Sequence, residues 1–151
     1  MPLGLIHCTL EEDIMLRDCT LPGLYLTGTH LPKLNAQRLQ CNGPLHLSGG
    51  FQATGLVDMS VATIIGQLDC DDGKFLAKDK ALECDAITVG ASVFLRGKFE
   101  AQGEVNLHGA KIDGQLDCTG GRFLAKDKAL NCETISVGAD VLLSEEFEAR
   151  G

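Results

Sequence analysis

The sequence predicts an all-β chain wound into a parallel β-solenoid with four short sides and about six turns, one domain across residues 1–151. Three observations predict it. Residues 62–103 and 110–151 align without gaps at an offset of 48, with 27 identities in 42 positions. A finer step of 24 runs inside that duplication: Phe51, Phe75, Phe99, Phe123 and Phe147 are 24 apart, and Ala53, Ala77, Ala101, Ala125 and Ala149 follow two residues behind them. Each unit then splits into four blocks with apolar or small residues at i and i+2, closed by a short turn. Positions i and i+2 of a strand point to one face, so each block is a short strand with two inward residues.

The elements follow in chain order. Residues 1–18 carry no clear register and are expected to form an irregular start. Residues 19–38 keep a strict five-residue block, enough for one turn of four sides. Residues 39–151 wind in turns of about 24. From 86 the blocks read AITVGA, SVFLRG, KFEAQG, EVNLHG; from 110 they read AKIDG, QLDCTGG, RFLAKDK, ALNCE. Helices are excluded, because no apolar pattern persists at 3.6 spacing and Gly recurs every few residues. Between the two long copies the inward pairs are unchanged, as in Leu68/Cys70 against Leu116/Cys118, while the changes fall on outward and turn positions. No single turn can bury its own apolar pair, so stability must come from stacking. The five Phe are expected to be buried and stacked, and Phe94, lying between inward Val93 and Leu95, to be exposed.

The blocks CTLPG, LYLTG, THLPK, LNAQR and LQCNG at 19–43 place Leu21, Leu26, Leu31, Ala36 and Cys41 at their centres. ATIIG at 62–66 and AKIDG at 110–114 have the same form. This resembles the pentapeptide-repeat family, and the chain looks like an expanded relative with longer turns. The resemblance implies a right-handed quadrilateral parallel β-helix. It transfers no function, because the roles within that family are diverse.

Composition narrows the function classes. Hydrophobic residues make up 44% of the chain, which argues against disorder. There are 21 acids against 13 bases, net −8, which disfavours a nucleic-acid partner. No apolar run approaches the ~18 residues of a membrane span, and the chain does not open on a leader pattern, so no membrane partner is expected. Seven Cys could mean a disulfide framework or a metal site. However, Cys41, Cys70, Cys84, Cys118 and Cys132 occupy inward slots, where a free thiol packs as a small apolar side chain. Cys8 and Cys19 lie where the register is loose. Neither a disulfide nor a metal or other cofactor is expected, and reduced thiols point to the cytoplasm. The four His sit at no ligand spacing, and His108 falls in a turn. VGASV at 89–93 and VGADV at 137–141 resemble the hexapeptide acyltransferase motif only superficially. That motif recurs every six residues around an 18-residue turn, and no catalytic residue is expected here.

The outward columns carry the candidate surface. One column reads His46, Asp69, Phe94, Asp117, Leu142, and another reads Gln52, Leu76, Glu100, Leu124, Glu148, both alternating acidic with apolar residues. Asp69, Phe94, Asp117, Leu142, Leu76 and Leu124 are the candidate protein-binding residues, since large apolar side chains in a polar frame mark interaction sites. The expected function is a non-enzymatic scaffold or protein-binding module. The alternative is an acidic rod imitating DNA toward a topoisomerase, which the interspersed Lys and Arg weaken; an enzyme ranks third. The last turn stops after three sides, TISVGA, DVLLSE and EFEARG. Either a longer solenoid or a second copy would cover Val141, Leu143, Phe147 and Ala149, and a homodimer through this end is the expectation.

Overall fold

The computed structural model describes residues 1–151. It contains strands of two to four residues and no helix. The strands stack into four parallel sheets, one per side of the solenoid. The chain visits them in the order 1, 2, 3, 4 on every turn. Sheet 1 has seven strands, from Leu3–Gly4 to Val141–Leu142, and sheets 2, 3 and 4 have six each. Sheet 2 ends at Glu148–Ala149, sheet 3 at Leu130–Asn131 and sheet 4 at Ser136–Val137. The molecule is therefore a four-sided β-solenoid of six turns plus the first two sides of a seventh.

Two sequence expectations are corrected. Residues 1–18 are not irregular. Leu3–Gly4 pairs with Leu24–Tyr25, Thr9 bridges His30, and Ile14–Met15 pairs with Leu34–Asn35. The first turn follows the rung above it because Leu3, Leu5, Leu10, Ile14 and Leu16 pack against the core. Nor is the turn a uniform 24. In sheet 1, Leu24, Leu45, Leu68, Val93, Leu116 and Val141 lie opposite one another, giving successive turns of 21, 23, 25, 23 and 25 residues. The long turns carry the Lys-Asp-Lys corners at 78–80 and 126–128. Leu82 follows Phe75 by seven residues and Leu130 follows Phe123 by seven, whereas Val57 follows Ala53 by four. The structural unit is thus a pair of unlike rungs, which explains why identity is high at 48 and low at 24.

The alternation reshapes the Phe column. Phe75 lies opposite Ala53 and Ala101, not opposite Phe51 and Phe99, and Phe123 lies opposite Ala101 and Ala149. Each ring therefore sits over a methyl-sized neighbour, and the rings interleave at centroid distances of 5.2–5.4 Å with tilts of 40–49°. Four of the five Phe are fully buried. Phe147 is only half-buried, because it belongs to the seventh, partial turn and has no rung above it. These rings lie within one continuous core that also holds Cys41, Cys70, Cys84 and Cys118.

The corners are of two chemical kinds. Between sheets 3 and 4 each turn places one residue in the left-handed region: Asp18, Arg38, Val61, Ala86, Gly109 and Thr134, with φ between 53° and 64°. Between sheets 1 and 2 the same conformation recurs, for example at Asp72 and Gly97. Outward Asn or Asp side chains prepare several of these corners by accepting the N–H two residues on, as Asp58 does from Ser60 and Asp117 from Thr119. Between sheets 4 and 1 the Gly66, Gly90, Gly114, Gly138 column serves a different need. A Cβ on Gly90 would lie 2.4 Å from the Ile65 carbonyl oxygen, and one on Gly138 would lie 2.2 Å from that of Asp113. Glycine is required there by the rung beneath.

Candidate functional site

The outward column of sheet 1 is continuous along the rod. Tyr25, His46, Asp69, Phe94, Asp117 and Leu142 lie on successive rungs in register. Their side chains form two linked groups, one from Tyr25 to Asp69 and one around Arg96. The Tyr25 and His46 rings stack at 5.0 Å and 11°, and His46 Nδ1 lies 3.4 Å from Asp69 Oδ2. The Arg96 guanidinium lies 4.1 Å above the Phe94 ring. It grips Asp71 in a fork, Nη2 to Oδ2 at 2.7 Å and Nε to Oδ2 at 3.0 Å, and reaches Asp117 Oδ2 at 3.5 Å. The hydrogen bond from Arg96 to Asp71 raises the already high Arg96 pKa, so this cation is permanent. Asp117 is only 5% exposed, and its Oδ1 accepts the Thr119 hydroxyl at 2.6 Å and its N–H at 3.0 Å. Phe94 is half-buried rather than exposed, because Arg96 covers it.

Four of the six candidate binding residues, Asp69, Phe94, Asp117 and Leu142, are thus brought into one line. Leu76 and Leu124 are not. The outward column of sheet 2 reads His30, Gln52, Lys74, Glu100, Arg122, Glu148. The two-residue slip that interleaves the Phe rings puts Lys74 and Arg122 where a uniform 24 would place the leucines. That side therefore alternates in charge, with Arg122 3.3 Å from Glu100 and 3.4 Å from Glu148. Leu124 lies instead in a shallow groove between the Lys-Asp-Lys corners, beside Lys78, Gln102 and Glu104.

Sequence reasoning missed Arg96 and Asp71, which organise the sheet 1 face. They are 25 residues apart and lie two residues beyond Asp69 and Phe94, outside the outward column that the sequence reading followed. It also missed Val61 and Ile65, 54% and 55% exposed, the large apolar side chains most open to solvent away from the two ends of the rod. At the last rung Val141 and Leu143 are about half exposed, Phe147 is half-buried and Ala149 is exposed.

All seven cysteines are free thiols, and no three His, Cys, Asp or Glu side chains converge as a metal-binding group. Burial pushes the Cys70 and Cys84 thiols far up and raises Cys118 to about 12. Such thiols are poor nucleophiles at neutral pH. His108 pairs with Asp85 at 2.8 Å on an exposed corner with no third group behind it. Two surface depressions, one around the Lys-Asp-Lys corners and one beside Arg96 and Asp117, are open and lined mainly by charged and polar residues. No helix is long and apolar enough to cross a membrane. Comparison of the chain with protein-family models, with curated proteins and with solved structures gives no match.

Proposed function

We propose that the chain is a non-enzymatic scaffold that binds a protein partner along sheet 1, as an expanded relative of the pentapeptide-repeat solenoids working in the cytoplasm. The observation that carries this is the outward line from Tyr25 to Leu142, in which an aromatic stack over two rungs, an acid and a clamped Phe–Arg pair follow in order. These side chains are already ordered by one another, so a partner gains contact area with little further loss of side-chain freedom. Aromatic residues and Arg are also the types that dominate binding energy when buried in an interface. The surplus of acid around Arg96, from Asp69, Asp71 and Asp117, favours a basic segment on the partner. Seven free thiols suit a reducing compartment.

The test compares surface variants in one capture experiment. The immobilised wild-type chain, Phe94→Ala, Leu142→Asp and Lys74→Glu are exposed to the same protein mixture. The expected outcome is a captured species lost by the two sheet 1 variants and retained by Lys74→Glu. Equal capture by all four sinks the assignment of the face. The DNA-mimic alternative is disfavoured because acids on several sides are matched locally, as in Asp71–Arg96–Asp117, Glu100–Arg122–Glu148 and Lys80–Glu83. Inhibition of a gyrase supercoiling assay at stoichiometric protein would restore it.

A further inference from the structure

Sheet 4 is chemically unlike the other three sides. Its outward residues form two columns two residues apart. The first reads Thr20, Gln40, Thr63, Thr88, Lys111, Ser136 in register. The second holds Ile65 on the third rung, Gly90 on the fourth and Asp113 on the fifth. Five of the six rungs therefore present no charge, and the fifth in order presents one cation and one anion side by side. Gln40 Nε2 donates to Asn42 Oδ1 at 3.0 Å, so paired positions on one rung are within reach of each other. Lys111 and Asp113 are nonetheless both exposed, and neither belongs to any ion pair within the chain.

We infer that sheet 4 is a self-association surface, on which a second copy docks face to face about a two-fold axis parallel to the rod. Such an axis reverses strand direction and keeps each rung opposite its own copy. The first column of one chain then meets the second column of the other. Lys111 meets the partner's Asp113 and Asp113 meets the partner's Lys111, two reciprocal ion pairs from groups left unpaired in the single chain. Ile65 meets the methyl of the partner's Thr63, and the bare Gly90 position receives the partner's Thr88. A two-fold contact must be self-complementary in this way. Net charge is consistent with this side: two chains of −8 repel least where the acid each presents, Asp113, faces the other's Lys111. Val61 at the rim carries a second mark of this side. It is β-branched, held at φ 59° and 54% exposed, a conformation that costs such a residue energy and that Gly109 supplies freely two rungs above.

The contact is small. Six rungs at ~4.8 Å and two columns ~7 Å apart fall well below the ~1,200 Å² of a stable complex, so the dimer is weak and concentration-dependent. Sedimentation equilibrium from about 10 µM to about 1 mM, at ~0.15 M salt, tests it. Wild type is expected to shift from monomer toward dimer across that range. Lys111→Asp sets two acids against each other on each side of the axis and is expected to raise Kd at least ~10-fold. The double swap Lys111→Asp with Asp113→Lys rebuilds both pairs with their signs exchanged and is expected to restore wild-type association. Leu143→Asp, on the last rung, is expected to leave Kd unchanged. All three positions are exposed, so folding is not at risk, and circular dichroism checks it. A monomer at every concentration overturns the inference. So does a dimer that ignores Lys111→Asp, a double swap that fails to recover, or a dimer abolished by Leu143→Asp.

Discussion

At the residue scale the cysteines show how position fixes chemistry. Cys41, Cys70, Cys84 and Cys118 are buried, whereas Cys8, Cys19 and Cys132 are only partly covered. Desolvation disfavours the thiolate, so the folded pKa lies above the ordinary value of 9.0 for Cys41, Cys70, Cys84, Cys118 and Cys132. The sign of the linkage follows. Below pH 9 both folded and unfolded thiols are protonated, and the stability they contribute is fully present. Above it the unfolded chain loses protons that the folded chain keeps, and stability falls as pH rises toward the folded values. One unit above the unfolded pKa each deeply buried thiol has lost about 1.4 kcal/mol. The urea midpoint is expected to drop between pH 8 and pH 10, and Cys84→Val to show a shallower drop than wild type. Identical slopes in the two proteins would remove the thiols as the cause. The inward cysteine slots were legible in the sequence because the block pattern alternates. The Arg96 clamp was not, since Arg96 and Asp71 lie two residues beyond Phe94 and Asp69, outside the outward column that the sequence reading followed.

At the element scale the strands were readable and their register was not. Two inward residues per block announce a side, and the Phe and Gly steps announce the turn. An average step of 24 cannot reveal that the rungs alternate between 23 and 25 residues in sheet 1. In sheet 1 the outward column was read at those unequal steps, and Asp69, Phe94 and Asp117 lie in register. In sheet 2 a uniform 24 put leucines where Lys74 and Arg122 stand, because the long Lys-Asp-Lys corner changes the offset between strands. The same distinction between local conformation and contact with the next rung separates two glycines. Gly109 sits at φ 64°, and the nearest atom to an added Cβ is 3.8 Å away. Gly90 has no such φ, but an added Cβ lies 2.4 Å from the Ile65 backbone oxygen, an atom of the main chain and not the end of a flexible side chain. Gly109→Ala is expected to cost about 1–2 kcal/mol, the left-handed penalty alone. Gly90→Ala is expected to cost more, about 2–4 kcal/mol, because strands on both sides of the corner must separate. Chemical denaturation of the two variants checks the order. A larger loss at Gly109 would mean that corner conformation, rather than close approach between rungs, holds the solenoid together.

At the scale of the whole molecule the fold has no centre in sequence, only neighbours. Every inner rung contacts the one below and the one above, and the core is a single column enclosed by four sheets. Stability in such a rod is close to a sum of rung terms and interface terms, so it should depend on position along the axis. The middle rungs are sealed on both sides: the N–H of Leu68 donates to Ser92, that of Cys70 to Phe94 and that of Leu95 to Asp117, and all three donors belong to fully buried residues. The outer rungs have one interface each. Leu3, Leu5, Leu10 and Ile14 at one end, and Ile135, Val137 and Phe147 at the other, are only partly buried although they occupy core positions. Opening an end turn exposes one interface, whereas opening a central turn disrupts two. Native-state hydrogen exchange is therefore expected to show opening free energies that rise from both ends, with the amides of Cys70 and Leu95 near the global value and those of Leu5 and Leu10 several kcal/mol lower. Arg96→Gln should lower protection on the rungs of Asp71 and Asp117 and leave the first turn unchanged. Uniform protection from Leu5 to Leu124, or a loss spread evenly over all rungs on cutting the clamp, would mean that the solenoid opens as one unit and that its turns are not independent terms.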